Sequence, residues 1–522
     1  MSSKRFRLTK ASKILIMILI IAAVVGSLFM GIKKGVIKTK TIKNQTTTSS
    51  SSSGTSKKKS TSDGTINLSL DEWIGWKSII DANGGLTTQP DSIYGKLGIS
   101  VNINVINDAT QSSNALIKGD LNAAGYTINR TAFLSKKFKD AGENIIMPYI
   151  TNYSNGGDGI IAKSSINSVK DLVGAKIGVP EFSEAQTLVV WFVNNSDLSQ
   201  DEKDDIINNL VLFSTADDTA KAFFAGQIDV AATWEPYLTQ AKNMTDAHVL
   251  FSTASSTNLV MDGIVFDKEF AEKYPDVVNK FIQGSLEASD MYDTEFDAIR
   301  EVMPMFNTSS DEDITSSCAT AKLTTWKDNS NLLNGTARTI YSDMCDVWES
   351  IGEEAVPELV DTLFDDTYIN NIEDNFNTSE VSNTDTVKVT EENKQTVEDI
   401  EALLSGSASV TFVNNTAKFS DSAAASEELN KFIEMAKVLD GAIIEVAGNT
   451  DPNPSYDPTD EYNTKLSVQR AETVKNYFVM NGISADRIVV VGNGSSNPVV
   501  DNDTDEHRAM NRRTDVSFKI IE

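Results

Sequence analysis

A long apolar run near the start of the chain is its most distinct hydrophobic feature. Residues 14–32, ILIMILIIAAVVGSLFMGI, carry no charge and match the length that a helix needs to cross a roughly 30 Å hydrocarbon core. The run predicts one N-terminal transmembrane helix over 14–32, preceded by a basic cytoplasmic head over 1–13. Residues 33–63 are rich in Ser, Thr and Lys and nearly lack apolar side chains, so they predict a flexible tether.

A cleaved signal peptide is the alternative interpretation of this run. The apolar stretch is long for a signal peptide, and no good small-x-small cleavage site follows it. No cysteine lies near the run, which excludes a lipoprotein anchor. Both interpretations place the rest of the chain outside the cytoplasm.

Residues 64–364 alternate short β-type runs with stretches of helical spacing. This alternation predicts an α/β architecture with ligands at the carboxyl ends of strands. We expect the chain to cross between two lobes near 153–158 and to return near 252–261. Gly156, Gly157 and Gly159 suit a hinge, because glycine accepts changes in φ and ψ at low cost. The predicted strands are INLSL, VNINVI, AAGYTI, GIIAK, AKIGVP, VLF and DVAATW.

Residues 391–522 follow an acidic linker over 365–390 and show a separate pattern. The run VTFVNN begins the region, helical spacing follows in ASEELNKFIEMAKVL, and AIIEVAGNTD alternates like a strand. A helix over NTKLSVQRAETVKNYFVMNG ends at Gly482, a C-cap candidate, and RIVVVGNG and NRRTDVSFKI complete the unit. The pattern predicts a βαβαβ-type domain.

The formal net charge of −28 conceals two different regions. Residues 1–60 contain 13 of the 46 Lys and Arg and none of the 74 Asp and Glu. The acidic remainder would repel phosphates, which argues against nucleic acid as a partner. Two histidines and two cysteines are too few for a His-built metal site, a zinc ribbon, an iron–sulfur cluster or most His-dependent triads. We expect no catalytic residue, no metal and no cofactor.

The segments of the middle region resemble a known family in their order along the chain. SSINSVKDLVGAKIGVP, TADDTAKAFFAGQIDVAATWEPYL and FAEKYPDVVNKFIQGSLEA are similar to NMT1-like substrate-binding proteins of ABC importers for nitrate, sulfonate, taurine and thiamine precursors. SLDEWIGWKSIIDANG and NALIKGDLNAAGYTI fit the same family. The resemblance implies a periplasmic-binding-protein fold of two α/β lobes that close on a small organic ligand, with an ABC permease as partner.

Side chains at the predicted strand ends are the candidate ligand contacts. For each aromatic side chain, packing inside a lobe is the alternative, and for each acidic one a solvated loop. The segment Glu-Phe-Ser-Glu over 181–184 places two carboxylates at a helix start, where an anion would otherwise be favoured. Aromatic and acidic groups together suit a cation or a flat heterocycle better. The candidates are Trp73, Trp76, Asp108, Thr127, Glu181, Ser183, Trp234 and Glu235.

Cys318 and Cys345 are the two cysteines of the exported region. In an oxidising compartment, two cysteines most simply form one disulfide. Two buried free thiols are the alternative, since the sequence does not give the distance between their Cα atoms.

The C-terminal region resembles the OmpA-like peptidoglycan-binding domain, which has an α+β fold. The family pattern is Thr-Asp after a strand, then N-x-x-L-S-x-x-R-A, G-I-x-x-x-R, G-x-G and N-R-R. Two features depart from it, since Asn449 replaces the usual histidine and the loop over 452–462 is longer. The matching residues are Thr450, Asp451, Asn463, Leu466, Ser467, Arg470, Ala471, Gly482, Ile483, Arg487, Gly492, Gly494, Asn511, Arg512 and Arg513.

This second resemblance also implies roles in binding. In the family, the Asp and the helix Arg hold meso-diaminopimelate of the peptide stem, so Asp451 would pair with the ammonium and Arg470 with the carboxylate. Opposite charges then face a zwitterion, and arginine adds bidentate geometry. Asn463, Asn415 and Arg512 are further candidates. The alternative is that Asp451 and Arg470 form only a structural salt bridge.

These features together predict a single-pass protein of the cell membrane whose body is extracytoplasmic and associated with the cell wall. It would capture a small organic ligand for an ABC importer and attach to peptidoglycan. The alternative is a structural or sensory wall-linking protein whose lobes do not feed a transporter.

Overall fold

The computed structural model describes residues 63–256, 258–376, 387–390, 397, 400–408, 410–413, 415–452 and 459–520. The predicted head, membrane helix and tether, apart from residue 63, lie outside these ranges, as does part of the acidic linker. Within the described ranges, no helix has the length and apolar character to cross a bilayer.

The described strands form three separate sheets. In chain order the strands are β1 (Ile66–Leu70), β2 (Val101–Val105), β3 (Ala123–Thr127), β4 (Ile145–Ser154), β5 (Asp158–Lys163), β6 (Ile177–Pro180), β7 (Val211–Phe213), β8 (Val230–Trp234), β9 (Ala247–Ser252), β10 (Met261–Asp267), β11 (Ala321–Leu323), β12 (Leu404–Ala408), β13 (Ile443–Gly448), β14 (Ile488–Gly492) and β15 (Thr514–Lys519).

The α-helices of the described residues alternate with these strands. They are α1 (Lys77–Asn83), α2 (Ile93–Leu97), α3 (Ala109–Lys118), α4 (Ile128–Ala141), α5 (Glu184–Asn194), α6 (Gln200–Asn208), α7 (Ala216–Phe224), α8 (Tyr237–Lys242), α9 (Lys268–Lys273), α10 (Pro275–Glu287), α11 (Asp297–Val302), α12 (Asp311–Cys318), α13 (Trp326–Leu332), α14 (Thr336–Ser350), α15 (Val360–Leu363), α16 (Thr367–Asn370), α17 (Ser422–Val438), α18 (Glu461–Met480) and α19 (Asp505–Asn511).

The first lobe is built on the sheet β11-β4-β10-β3-β1-β2. β1 runs parallel to β2 and β3, whereas β10 is antiparallel to β3 and β4. Parallel neighbours need a crossover connection, and helices supply it here between β1, β2 and β3. The predicted strands INLSL, VNINVI and AAGYTI correspond to β1, β2 and β3. β4 and β10 were not among the predicted strands, and both are buried along their whole length.

The second lobe is built on the sheet β7-β6-β8-β5-β9. β6 runs parallel to β7 and β8, and β5 is antiparallel to β8 and β9. The predicted strands GIIAK, AKIGVP, VLF and DVAATW all lie in this sheet. The sequence therefore located the strands of the second lobe more completely than those of the first.

Two short segments connect the lobes. The chain leaves the first sheet at the end of β4, enters the second at β5, and returns between β9 and β10, which confirms the two predicted crossings. Thr253 ties the segments together, because its Oγ1 accepts a hydrogen bond from Gly156 N at 2.9 Å and lies 2.9 Å from Ser154 Oγ. A Cβ atom at Gly157 would lie 2.6 Å from the Trp73 ring, so this glycine is needed for close packing as well as for conformational freedom.

The C-terminal domain has the sheet order β12-β15-β13-β14. β13 and β14 are parallel, and β15 lies antiparallel between β12 and β13. α18 lies so close to β14 that a Cβ atom at Gly492 would come within 2.3 Å of Val468 Cγ2, which explains one glycine of the G-x-G motif. The first strand of this sheet precedes the run VTFVNN. That strand is β12, and Phe412 makes only an isolated bridge to Phe419.

The C-terminal domain contacts the second crossing between the lobes. Gly441 N donates to Ser255 O at 3.0 Å, and Ser256 Oγ donates to Val438 O at 2.6 Å. Val169 N of the second lobe donates to Leu403 O at 3.1 Å. The domain therefore rests on the segment through which the chain returns to the first lobe.

Both cysteines are free and buried, so the expected disulfide does not form in this structure. Cys318 ends α12, and its Sγ donates to Tyr292 O at 3.2 Å. Cys345 lies in α14 among different neighbours. Burial raises the pKa of Cys318 to about 11 and that of Cys345 to about 12, so both thiols stay protonated and unreactive at neutral pH.

Candidate functional site

Four carboxylates from both lobes meet at the cleft between them. Asp71 follows β1 and Asp262 lies in β10 of the first lobe, whereas Asp158 begins β5 and Glu184 begins α5 of the second. Repulsion from Asp71, Asp158 and Glu184 acts on Asp262, and repulsion from Asp71 and Glu184 acts on Asp158. The four groups therefore lie close enough to influence one another's charge near the crossing between the lobes.

One arginine joins the two lobes across this space. Arg130 of α4 donates from Nε to Glu184 Oε1 at 2.9 Å and from Nη2 to Oε2 at 2.8 Å. Thr127 Oγ1 donates to the same Oε1 at 2.8 Å. Burial disfavours the charged form of Glu184, but the Arg130 guanidinium and its hydrogen bonds outweigh burial and hold the pKa of this carboxyl below its ordinary value. We call this pair the interlobe bridge.

The other three carboxylates, Asp71, Asp158 and Asp262, form what we call the aspartate cluster. Each accepts one side-chain hydrogen bond through one oxygen. Trp76 Nε1 donates to Asp71 Oδ1 at 2.6 Å, Trp73 Nε1 to Asp262 Oδ2 at 2.9 Å, and Ser154 Oγ to Asp158 Oδ2 at 2.7 Å. The donors are neutral, so they orient the carboxylates without cancelling their charge.

Within the described part of the chain, the aspartate cluster has no cation of its own, and the pKa values of its carboxyl groups reflect this. Burial raises the pKa of all three aspartates, and repulsion from the neighbouring carboxylates adds to the effect. The pKa of Asp158 rises to about 7, and that of Asp262 lies well above its ordinary value. Arg130 opposes the rise at Asp71 and Asp158, but Glu184 already binds its guanidinium.

The structure places three predicted ligand contacts at this cleft. Trp73 is half-buried and lies against the crossing at Gly157. Thr127 caps α4 by accepting from Arg130 N at 2.9 Å and also reaches Glu184. Trp234 ends β8 directly opposite Asp158 and is 37% exposed.

The structure gives other roles to the remaining predicted contacts. Trp76 is 1% exposed, so it has no free face for a ligand and instead orients Asp71. Asp108 is an exposed N-cap of α3, with Oδ1 accepting from Thr110 N at 2.7 Å. Glu235 accepts from Thr239 N at 3.1 Å in α8, and Ser183 is the buried N-cap of α5. Glu181 is exposed beside that cap.

A second charged site lies in the C-terminal domain. Asp451 Oδ2, just beyond β13, lies 3.2 Å from Arg512 Nη1. Arg470 of α18 donates from Nε to Thr416 O at 3.2 Å, and its guanidinium centre lies 4.9 Å from the centre of the Phe412 ring. Burial lowers the pKa of Arg470 and repulsion from Arg512 adds to this, while Asp451 opposes both. One carboxylate and two guanidinium groups therefore share this site.

The other residues expected to bind peptidoglycan, and the neighbouring motif residues, have the following contacts in the C-terminal domain. Asn463 Nδ2 donates to Asp460 Oδ1 at 2.9 Å, and Asn415 is exposed with a left-handed φ of 54°. Asn449, at the position where the family has histidine, is buried and donates to Asp515 Oδ2 at 2.9 Å. Arg487 of the G-I-x-x-x-R motif is structural, because its buried guanidinium donates to the carbonyl oxygens of Ala436, Leu439 and Ala442.

The comparisons with protein families match these two regions separately. The OmpA family model matches residues 411–512, and the NMT1/THI5 like model matches residues 93–292. Both resemblances inferred from the sequence are therefore confirmed. The chain carries an NMT1/THI5-like substrate-binding domain followed by a C-terminal OmpA-family domain, and both are binding domains rather than enzymes.

Three curated proteins are similar to this chain over stretches of 76 to 90 residues. Outer membrane porin F of Pseudomonas fluorescens is 50% identical over 76 residues, 15% of this chain and 22% of the porin. Outer membrane protein A of Bordetella avium is 40% identical over 90 residues, which cover 17% of this chain and 44% of that protein. Peptidoglycan-binding protein ArfA of Mycobacterium tuberculosis is 39% identical over 90 residues, which cover 17% of this chain and 26% of that protein. The chain thus spans less than half the length of each.

Solved structures resemble parts of this chain at low sequence identity. The periplasmic aliphatic sulphonate binding protein SsuA from Escherichia coli is 13% identical with a TM-score of 0.46, and the match covers 58% of this chain and 98% of SsuA. The periplasmic domain of Helicobacter pylori MotB is 19% identical with a TM-score of 0.20, covering 23% of this chain and 75% of that domain.

Proposed function

We propose that this protein captures a small organic solute outside the cytoplasm for an ABC importer and attaches to peptidoglycan through its C-terminal domain. The observation that carries the proposal is the cleft, where charged and aromatic groups of two lobes meet at a double crossing of the chain. Such an arrangement permits closure of the lobes on a solute. The NMT1/THI5 like match over residues 93–292, which include Arg130, Glu184 and Asp262, supports it.

The wall-binding part of the proposal rests on the charged site of the C-terminal domain. Asp451 would accept the ammonium of diaminopimelate, and Arg470 would donate to its carboxylate, with Asn463, Asn415 and Arg512 around them. The Asp451–Arg512 contact and the placement of Arg470 over Phe412 show that charges of both signs are available at one edge. A zwitterion meets complementary charges there.

The domain order proposed from the sequence fits this function. The basic head (1–13), membrane helix (14–32) and tether (33–63) would hold the two-lobe domain (64–364) at the membrane. The acidic linker (365–390) would join it to the wall-binding domain (391–522). The solute-binding lobes would then be held between bilayer and peptidoglycan.

Native mass spectrometry and wall sedimentation of the full chain test the two activities. We expect a small organic molecule to co-purify with the protein and to leave it when the lobes are unfolded. We expect the protein to sediment with peptidoglycan that contains diaminopimelate, but much less with peptidoglycan whose stems contain lysine, because lysine lacks the second carboxylate. Equal sedimentation with both would contradict the proposed wall site.

Cell fractionation tests the membrane anchor. The full-length protein should fractionate with membranes and keep its N-terminus, because the run over 14–32 has no charge to favour release into water. N-terminal sequencing of the mature protein checks this. A soluble form that begins beyond residue 31 would show cleavage and overturn the anchor.

A structural or sensory wall-linking protein is the second candidate, and the interlobe bridge favours it. Arg130 and Glu184 link the two lobes directly through an ion pair. A protein that stays closed without solute would deliver nothing to a transporter. Small-angle scattering with and without the co-purified molecule separates the candidates, because a transport protein should open when the solute is removed.

A further inference from the structure

The aspartate cluster has acceptors that the protein does not use. Among the described residues, no donor from another residue forms a hydrogen bond with Asp71 Oδ2, Asp158 Oδ1 or Asp262 Oδ1. Asp262 is 3% exposed, Asp158 is 9% exposed, and Asp71 is partly buried. Buried carboxylate oxygens without a donor are costly, and they call for a partner from outside the chain.

These oxygens are also not fully enclosed by the protein. Asp81 of α1 gives the contrast, since its Oδ1 is fully buried without a donor. None of the unused oxygens of the aspartate cluster is enclosed in this way. The unused oxygens of the aspartate cluster therefore keep some accessible surface.

The charge balance excludes an anion and favours a cation. Glu184 occupies the Arg130 guanidinium with two hydrogen bonds, so the arginine that could hold a sulfonate or carboxylate is already paired. An anionic solute would meet the aspartate cluster with no free positive charge beside it. A cation would neutralise charge that the protein leaves unpaired.

We propose that the aspartate cluster binds the primary ammonium group of a small organic amine, a proposal that rests on the solute-binding function above. An ammonium has three N–H donors, one for each unused oxygen of Asp71, Asp158 and Asp262. A quaternary ammonium has the charge but no N–H, so it would leave all three oxygens without donors. The half-buried Trp73 and the exposed face of Trp234 supply apolar surface for the carbon chain of the amine.

Three probes with the same carbon chain test this proposal on the full chain at pH 8. They are n-butylamine, n-butyltrimethylammonium and butane-1-sulfonate, with binding followed by tryptophan fluorescence and titration calorimetry. We expect n-butylamine to bind at least tenfold more tightly than the trimethylated probe, and the sulfonate to give no response. Stronger binding of the trimethylated probe or of the sulfonate would overturn the proposal.

Asp262→Asn tests the cluster itself, because it removes charge with little change of shape. We expect n-butylamine binding to fall more than tenfold while the melting temperature stays equal or rises, since a buried unpaired charge is lost. Asp120→Asn is the matched control, because Asp120 is exposed and lies outside the cluster. Unchanged amine binding in Asp262→Asn would overturn the proposal.

The pH dependence gives an independent signature. Asp158 faces Asp71, Glu184, Arg130 and Asp262, and its pKa is about 7. Binding of n-butylamine, which stays protonated, should weaken between pH 8 and pH 6 as Asp158 takes up a proton. In Asp158→Asn the change over this range should shrink. Constant affinity in the unaltered protein over this range would overturn the role of the cluster.

The results also separate this proposal from the function on which it rests. A co-purified anionic or neutral molecule, with no response to the amine, would overturn the amine proposal and leave the solute-binding function intact. No co-purified molecule and no response to any probe would count against both.

Discussion

Replacing Arg130 with alanine should lower the free energy of unfolding of the two-lobe region by about 3 kcal/mol. The change leaves Glu184, which is 9% exposed, as a buried carboxylate without its cation, and breaking a buried pair from one side typically costs about 3–5 kcal/mol. We expect a loss at the low end of this range because 19% of the Arg130 side-chain surface is exposed to water. Chemical denaturation of the full chain, followed by tryptophan fluorescence, measures the effect.

Two variants show whether the loss comes from the interlobe bridge. Lys136→Ala removes an exposed ion pair with Asp140 on the same helix, and it should change stability by less than about 0.5 kcal/mol. Arg130→Ala combined with Glu184→Gln removes both charges and should recover part of the stability. If Arg130→Ala costs no more than Lys136→Ala, the bridge does not hold the lobes together.

Loss of Arg470 or Asp451 should weaken binding to peptidoglycan more than tenfold. Arg470→Ala leaves the ligand carboxylate without its guanidinium, and Asp451→Asn leaves the ligand ammonium without its counter-charge. Truncating one partner of a desolvated charge pair costs about 2–5 kcal/mol, and each 1.4 kcal/mol is about tenfold in affinity. Sedimentation of the full chain with diaminopimelate-type peptidoglycan at increasing wall concentration gives the apparent Kd.

Two control variants accompany this prediction. One removes another positive charge from the same helix, and the other keeps the charge at position 470. Lys465→Ala removes an exposed cation of α18 that pairs with Glu461, and it should bind the wall like the unaltered protein. Arg470→Lys keeps the positive charge but loses the planar guanidinium group. Its affinity for peptidoglycan should therefore lie between that of the unaltered protein and that of Arg470→Ala. Wild-type binding by both Arg470→Ala and Asp451→Asn would show that their roles do not transfer from the family to this chain.

The sequence predicted the parallel strands and the crossings well, for a physical reason. INLSL and AKIGVP are short runs that contain β-branched and other apolar residues and adjoin glycine or aspartate, and strands have this pattern. Gly156 and Gly157 marked the first crossing because their conformational freedom is visible in the sequence. β4 was missed although it is ten residues long, since IIMPYITNYS mixes apolar and polar side chains that are all buried in the structure.

The site was harder to predict than the fold. Asp71 directly follows the predicted strand INLSL, so the rule that selected Trp73 could have found it. Asp158 and Asp262 lie in β5 and β10, which pair antiparallel to their neighbours. A search for side chains at the carboxyl ends of parallel strands therefore does not find them. Trp76 satisfied the same rule and still became a buried donor to Asp71. With 74 acidic residues in the chain, only tertiary contacts distinguish the aspartates that share a cleft.

The contact of the C-terminal domain with the second crossing gives the protein a mechanical coupling. If that domain is fixed to the wall while the N-terminus is held at the membrane, any stretching of the envelope becomes tension along the chain. Part of that tension passes through Ser255 and Ser256, which bond to Gly441 and Val438 and lie two and three residues beyond Thr253 at the start of the crossing. A load there pulls on the hinge itself, so envelope strain would bias the lobes between open and closed without any change in solute concentration.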